Sequence, residues 1–428
     1  MLNRSEMKPW VSIAAFFITL NTLFFYGFIR DGTWLVIAIL LIPLCFRIGP
    51  LNFLISSISF FFVTTVLVLL IDYVFPQIVY YGEPGERLLF NDKDGLRIYR
   101  KNQDIQRYMP YGQLAGFADQ DQIFDIRPRN VSYHTDSLGF RNNSDYNEEK
   151  YILVGDSMIA GSGSSQENIL SSQLKSKFNV NVYNVAIPGE GILGYVKNIQ
   201  KFESLHHEKP FKILLFLAES NDFEYPSPPL SQKNIFEKIR TFHKEPLRQY
   251  KSFFKQTGLY RYTFSVYKSF VRKIFNEKAH RLFIGNVGTH KVAFLSPNQG
   301  HTDEIIRKSY SFPDESVQSI ESVKSRVEYI FFLPSKFSVY SSMINNNPYS
   351  ILPNVRWQAL QSLGAKLGIA TVNLTEPMVA KARKLLKEKN EMMFWEDDAH
   401  WNANGAEFAA DLVCKTVTDL GCSIPRAP

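Results

Sequence analysis

Hydrophobic positions change spacing twice along this chain, and each change predicts a different kind of structure. Trp10 to Ile29 is an uncharged apolar run long enough to cross hydrocarbon as a helix, and Leu51 to Ile71 is a second. Thr33 to Phe46 is apolar but shorter; it spans only if its flanks snorkel or the bilayer thins, and a re-entrant arm is the alternative. A removable signal peptide would have one short apolar core and a small-residue cleavage site, which does not describe this region. From Pro76 to about Lys150 the pattern turns polar and turn-rich, with Gly-Glu-Pro-Gly at 82–85 and Asp-Ser-Leu-Gly at 136–139. A short run, Val131-Ser-Tyr-His, reads as a strand there. Residues 1–76 are therefore expected to be a transmembrane anchor of about three helices, and residues 77–150 a connector with a small β cap.

From Tyr151 onward, short apolar strands alternate with helical stretches. Strands are predicted at 151–154, 182–187, 212–218, 328–333 and 369–373. Helices are predicted at about 169–177, 192–205, 355–367, 376–389 and 403–418. Strands that are apolar without polar alternation are buried on both faces, as in a parallel sheet covered by helices. Residues 151–428 thus read as one α/β domain, interrupted by a basic insertion at about 224–325. Parallel sheets carry their sites beyond the carboxyl ends of the strands. Ser157, Gly189 and Asn221 each follow such an end.

Charge refines the picture. The chain has 428 residues and a formal net charge of +7, with 45% hydrophobic and 14% aromatic residues. Arg4, Lys8 and Arg47 all fall on the cytoplasmic side if there are three spans, as the positive-inside rule prefers. The chain after Asp72 then lies outside the inner or plasma membrane, periplasmic in a two-membrane cell; two spans would leave it in the cytoplasm. Ser231 to Phe275 holds eleven lysines and arginines against two acids, with aromatics between them. For an outward-facing protein an interfacial segment against anionic lipid or glycan suits this better than nucleic acid, and a solvated helical insertion is the plainer reading. Cys45 lies in a membrane segment. Cys414 and Cys422 could pair in an oxidising compartment, although two free buried thiols is the plainer reading. No Cys/His spacing reads as a zinc site, and no metal or cofactor is expected.

The candidate chemistry sits at two places. Tyr-Ile-Leu-Val-Gly-Asp-Ser, residues 151–157, delivers Ser157 onto a tight turn, and Asp397-Asp-Ala-His400-Trp-Asn offers two carboxylates close to a histidine. A serine hydroxyl needs a base to take its proton, and an imidazole oriented by an acid is the usual one. Asp156 and Asp222 read as structural acceptors, Trp401 as a core aromatic and Asn402 as a helix cap. Gly189-Glu-Gly-Ile-Leu-Gly194 matches a dinucleotide fingerprint in form only, because no ribose-binding acid follows at the required distance.

Taken together, Gly155-Asp-Ser157, Gly189, Asn221 and His400 resemble the four blocks of the SGNH, or GDSL-like, hydrolase family. Thr135-Asp-Ser-Leu-Gly-Phe-Arg141 resembles a segment that precedes the serine block in membrane-associated members. The resemblance implies a flavodoxin-like three-layer domain with a parallel sheet. It implies Ser157 as nucleophile, His400 as general base, and the Ser157 N–H, Gly189 N–H and Asn221 amide as oxyanion donors. The orienting acid in this family usually stands three residues before the histidine, which selects Asp397; Asp398 is the competitor, two residues before. Glu219 departs from the pattern, since a small residue usually stands two before the asparagine. The expected function is a membrane-anchored serine esterase or O-acyltransferase acting on acyl esters, acetyl above all, of an extracytoplasmic glycan or lipid. A membrane-borne acyl-donor protein is a further expected partner. The alternative is a non-catalytic scaffold or glycan-binding subunit of an envelope polysaccharide complex.

Overall fold

The computed structural model describes residues 88–223, 282–295, 310–347 and 354–423, with short breaks at 93–95, 110, 119–122 and 207–209, together with Val63 and Val66. The chain divides into two compact units, Met1–Tyr81 with Leu230–Lys278, and Gly82–Pro229 with Ala279–Pro428. All described residues except Val63 and Val66 belong to the second unit. Apart from Val63 and Val66, the predicted spans therefore lie outside the described residues, among which no helix is long and apolar enough to cross a membrane.

The centre of the second unit is a five-stranded sheet. Its strands are β5 (Tyr151–Val154), β6 (Tyr183–Asn184), β7 (Lys212–Ala218), β10 (Val327–Leu333) and β11 (Ala370–Asn373). Their spatial order is β11-β10-β7-β5-β6, and every pairing is parallel. In order of sequence this is 2-1-3-4-5, the flavodoxin-like arrangement, with its topological switch between β5 and β7. The remaining strands form three antiparallel pairs: β1 (Leu89–Asn91) with β2 (Arg97–Tyr99), β3 (Asp104–Met109) with β4 (Arg129–His134), and β8 (Leu282–Val287) with β9 (His290–Leu295).

Alternation along the strands sorts the side chains to two faces. Tyr151, Leu153, Leu214, Phe216, Phe331 and Leu333 face one core with the helices α1 (Ser157–Ala160), α2 (Leu170–Phe178), α5 (Lys336–Tyr340), α7 (Thr375–Lys389) and α8 (Ala403–Thr416). On the other face Phe332 meets Trp357 of α6 (Val355–Leu367), while α3 (Ile192–Leu205) packs on α4 (Asp314–Val323). Helix, sheet and helix make three layers around strands that are mostly buried, with the edge strand β11 partly exposed.

Two segments differ from the sequence reading. The stretch read as an insertion, 224–325, contains the β8–β9 hairpin and α4, and Val287, Val292 and Phe294 are buried in the main core. The cysteines differ too: Cys414 and Cys422 are joined in a disulfide rather than free.

The motif at 135–142 is structural. Asp136 Oδ1 accepts from the N–H groups of Leu138, Gly139 and Phe140, and its Oδ2 accepts from Asn142 Nδ2 and Tyr183 Oη. Asn142 pairs with the main chain of Asn184 in both directions, mimicking a further strand residue beside β6. Arg141 is fully buried and spends its donors on Gln166 Oε1 and the carbonyls of Ser132, Ala160, Gly161 and Ser164. Its guanidinium lies 3.5 Å from the centre of the Tyr133 ring. A guanidinium has five fixed donors, so one arginine locks the loop that follows the short helix at Ser157.

Candidate active site

Strand β5 ends at Val154, and Asp156 caps α1 by accepting from Met158 N–H at 2.8 Å. Ser157 is thus the first residue of a helix, where main-chain donors lack intrahelical acceptors. Gly155 is required by space: a Cβ there would meet Ile159 Cγ1 at 2.7 Å. The chain after β6 runs on beside this turn, with Ile187 N–H donating to Gly155 O, and brings in Gly189 at φ +71. Asn221 follows β7 and donates through Nδ2 to Asp156 Oδ2 at 2.6 Å. One amide hydrogen remains to it. Serine, glycine and asparagine blocks thereby meet around the switch point of the sheet.

The histidine block is a loop from Met393 to Asn402, closed by a bridge between Phe394 and Trp401 and by Asn402 N–H donating to Met393 O. Trp401 is a buried core residue and Asn402 caps α8, as read from sequence. Imidazole Nε2 of His400 lies 2.8 Å from Ser157 Oγ, and Nδ1 lies 2.7 Å from Asp398 Oδ1. The orienting contact is therefore made by Asp398, not Asp397. Asp398 Oδ1 also accepts from the His400 main-chain N–H, a closure that the two-residue spacing favours.

Asp397 turns the other way. Its Oδ2 accepts from the N–H groups of Gly112 and Arg127, and its Oδ1 from Arg129 Nη1. Arg129 Nη2 donates to Asp398 Oδ2, so one guanidinium holds both acids, stacked 4.4 Å from the Trp395 ring centre. Gln113 N–H completes the set on Asp398 Oδ2. Gly112 is needed because a Cβ there would meet Asp397 O at 2.5 Å and Asp398 Cβ at 2.8 Å. Burial works against ionisation of Asp398, but His400, Arg129 and the Gln113 N–H outweigh it and hold the carboxyl well below the usual carboxylate range. Burial raises the Asp156 carboxyl instead, against the opposing pull of Met158 N–H, His400, Asn221 and Ser157.

Glu219, which departs from the family pattern, has a definite place. Its Oε2 accepts from Ser335 N–H at 2.8 Å and Ser338 Oγ at 2.6 Å, at the start of α5. Two donors thus engage its Oε2 at the start of α5.

Residues 327–425 match the family model described as SGNH hydrolase-like domain, acetyltransferase AlgX. That stretch is similar to an SGNH hydrolase-like domain. The matched stretch is just under a quarter of the chain and includes Asp397, Asp398 and His400; Ser157, Gly189 and Asn221 precede it. Among solved structures the lipase/acylhydrolase from Enterococcus faecalis aligns at 16% identity over 65% of this chain and 100% of that chain, with a TM-score of 0.32. A comparison with curated protein sequences finds no match.

Gly112, Arg127 and Arg129 were not singled out in the sequence, because nothing local marks a residue nearly three hundred positions away from the acid it serves. Lys336, which reaches the same acid loop from the end of β10, was missed for the same reason. Its one local signal is a lysine three residues past the end of an apolar strand. Among the described residues no cluster of histidine, cysteine and acids could hold a metal.

Proposed function

We propose that this protein is a membrane-anchored serine esterase or O-acyltransferase acting through an acyl-Ser157 intermediate on acyl esters of an extracytoplasmic glycan or lipid. The observation that carries the reading is the continuous relay from Ser157 Oγ to His400 Nε2 and from His400 Nδ1 to Asp398 Oδ1. With Asp398 ionised, Nδ1 carries the proton and Nε2 is left to accept from Ser157. Oγ attacks the ester carbonyl as its proton passes to Nε2. The oxyanion is met by Ser157 N–H, Gly189 N–H and the Asn221 amide. His400 then protonates the leaving oxygen, and the acyl-enzyme passes its group to water or to a sugar hydroxyl.

Acetyl is the acyl group we infer, supported by the acetyltransferase description of the matching family model. The apolar runs at 10–29 and 51–71 and the cytoplasmic bias of Arg4, Lys8 and Arg47 support the anchor and its orientation. The Cys414–Cys422 disulfide supports an oxidising compartment. A scaffold reading drew partly on Glu219, and the bonds of that carboxylate to Ser335 N–H and Ser338 Oγ weaken that motive.

The test is labelling of the detergent-solubilised protein by a fluorophosphonate probe. Ser157→Ala should abolish labelling with folding intact, and equal labelling of both proteins would sink the enzyme reading. A reporter fused after Pro428 should behave as extracytoplasmic; alkaline phosphatase inactive there, with a cytoplasmic reporter active, would refute the envelope substrate.

A further inference from the structure

Lys336 takes no part in the proton relay, yet its buried ammonium has four carbonyl partners. It is the first residue of α5, just past the carboxyl end of β10, and it is buried. Its Nζ donates to Ala293 O at 2.7 Å, Trp395 O at 2.7 Å, Glu396 O at 3.0 Å and Asp398 O at 3.0 Å. Three of those four carbonyls belong to the loop that ends in Asp398. The fourth belongs to β9, and the Phe294 ring centre lies 5.2 Å from Nζ. An ammonium has three donors and no acceptor, so a ring of carbonyl oxygens suits its charged form. The start of α5 is fixed in turn by Glu219, one residue away from the block that holds Asn221.

We propose that Lys336 is a positioning residue for the proton relay: its ammonium gathers the main chain of residues 395–398 so that Asp398 stays on His400 and His400 stays on Ser157. The proposal rests on the reading of Ser157 as nucleophile. Asp398 is held from both ends. Its carbonyl is drawn to Lys336, while its carboxylate is fixed by Arg129, Gln113 N–H and His400. The four carbonyls come from two separate chain segments; removing the cation cuts the tie of the acid loop to α5 and leaves it joined to β9 by the Ala293 N–H to Glu396 O bond.

Charge supports the geometry. Burial pushes the Lys336 ammonium down to about 7, opposed by Asp398, Asp397 and Glu396 of the acid loop and reinforced by Arg129 of β4. The titratable groups of β9 are His290, which contacts Glu396 through Nδ1 at 2.9 Å, and the exposed Lys291. Once deprotonated, the amine has two donors and a lone pair facing four carbonyl oxygens, and the loop loses part of its tether. Turnover should therefore fall on the alkaline side as Lys336 loses its proton.

The experiment uses the full chain in detergent and compares the parent with Lys336→Met and Lys336→Arg. Three readouts are taken: the rate of Ser157 labelling per folded molecule across pH, the thermal midpoint, and the NMR signal of the His400 Nδ1–H proton. Lys336→Met is expected to lower the labelling rate by about a hundredfold, as misplacement of a catalytic group by roughly 1 Å can. It should also abolish the alkaline limb and broaden the Nδ1–H signal. Lys336→Arg keeps the charge and should restore the signal in part and shift the limb upward. A lowered midpoint with unchanged labelling rate, pH profile and signal would show a merely structural strut and overturn the proposal. If Lys336→Met does not fold, an alkaline limb that persists unchanged in Lys336→Arg overturns it. Failure of the enzyme reading would show separately, as a parent that is not labelled although its Nδ1–H signal is present; the signal in the variants then still decides the role of Lys336.

Discussion

At the scale of single residues, the two neighbouring acids divide their work because a tight loop points consecutive side chains apart. Asp398 faces the imidazole, and Asp397 faces two main-chain N–H groups and Arg129. Asp398→Asn is expected to fold and to lower turnover on an aryl acetate by on the order of 10⁴, through the wrong histidine tautomer. Asp397→Asn should show mainly a lowered thermal midpoint, because it weakens a buried pair with Arg129 without touching His400. Steady-state rates and melting curves of the two variants check the ranking, and the reverse order would return the orienting role to Asp397. The pH dependence follows from the depressed Asp398 carboxyl. A folded-state value below the unfolded one, about 3.9 for an aspartate, stabilises the protein above that pH and loses its contribution as pH falls toward the folded value. The stability gap between the parent and Asp398→Asn, read from urea midpoints, should therefore shrink on acidification from pH 6 to pH 3. The sequence made both aspartates visible as candidates. It could not rank them, because their directions depend on Gly112, Gln113 and Arg129 in a segment far back in the chain.

At the scale of elements, the β3–β4 pair and the turn at Gly112 are not a cover laid over a finished site but its support. Arg129 leaves β4 to join both acids, and Gly112 allows the backbone to approach them. Arg129→Met should cost roughly 3–5 kcal/mol, the usual result of removing one partner from a buried ion pair, and should reduce activity with it. Gly112→Ala inserts a methyl against Asp397 and Asp398 and should cost about 1–3 kcal/mol as an overpacked site. Chemical denaturation of both variants gives the first quantity, and rates per folded molecule show whether the acid loop has moved; a change under 0.5 kcal/mol in either would mean that the loop adapts freely. The sheet strands and five of the helices that pack on them were legible from apolar runs and helical spacing. The β8–β9 hairpin and α4 were not, since short segments flanked by long basic stretches give no clean period. Yet they bury Val287, Val292, Phe294, Ile320 and Val323.

At the scale of the molecule, the disulfide between Cys414 and Cys422 joins the end of α8 to the last described turn, beside Ser423 bonded to Phe178. Closing so short a loop stabilises by about 2.5 kcal/mol in the chain-entropy account. A Cys414→Ala, Cys422→Ala protein should melt several degrees lower with unchanged turnover, and an unchanged melting point would show the bond to be dispensable. By itself the sequence determined the kind of sheet, the order of its strands along the chain, and the serine, glycine, asparagine and histidine blocks. Periodic burial and turn chemistry are local, and they are written in neighbouring residues. Only the tertiary structure decided the spatial order 2-1-3-4-5, which of two adjacent carboxylates meets the histidine, and where Glu219, Arg129 and Lys336 spend their charges. Those outcomes depend on contacts between segments tens to hundreds of residues apart. Buried charges find their partners only when the whole core has closed around them, because water satisfies them equally well before then.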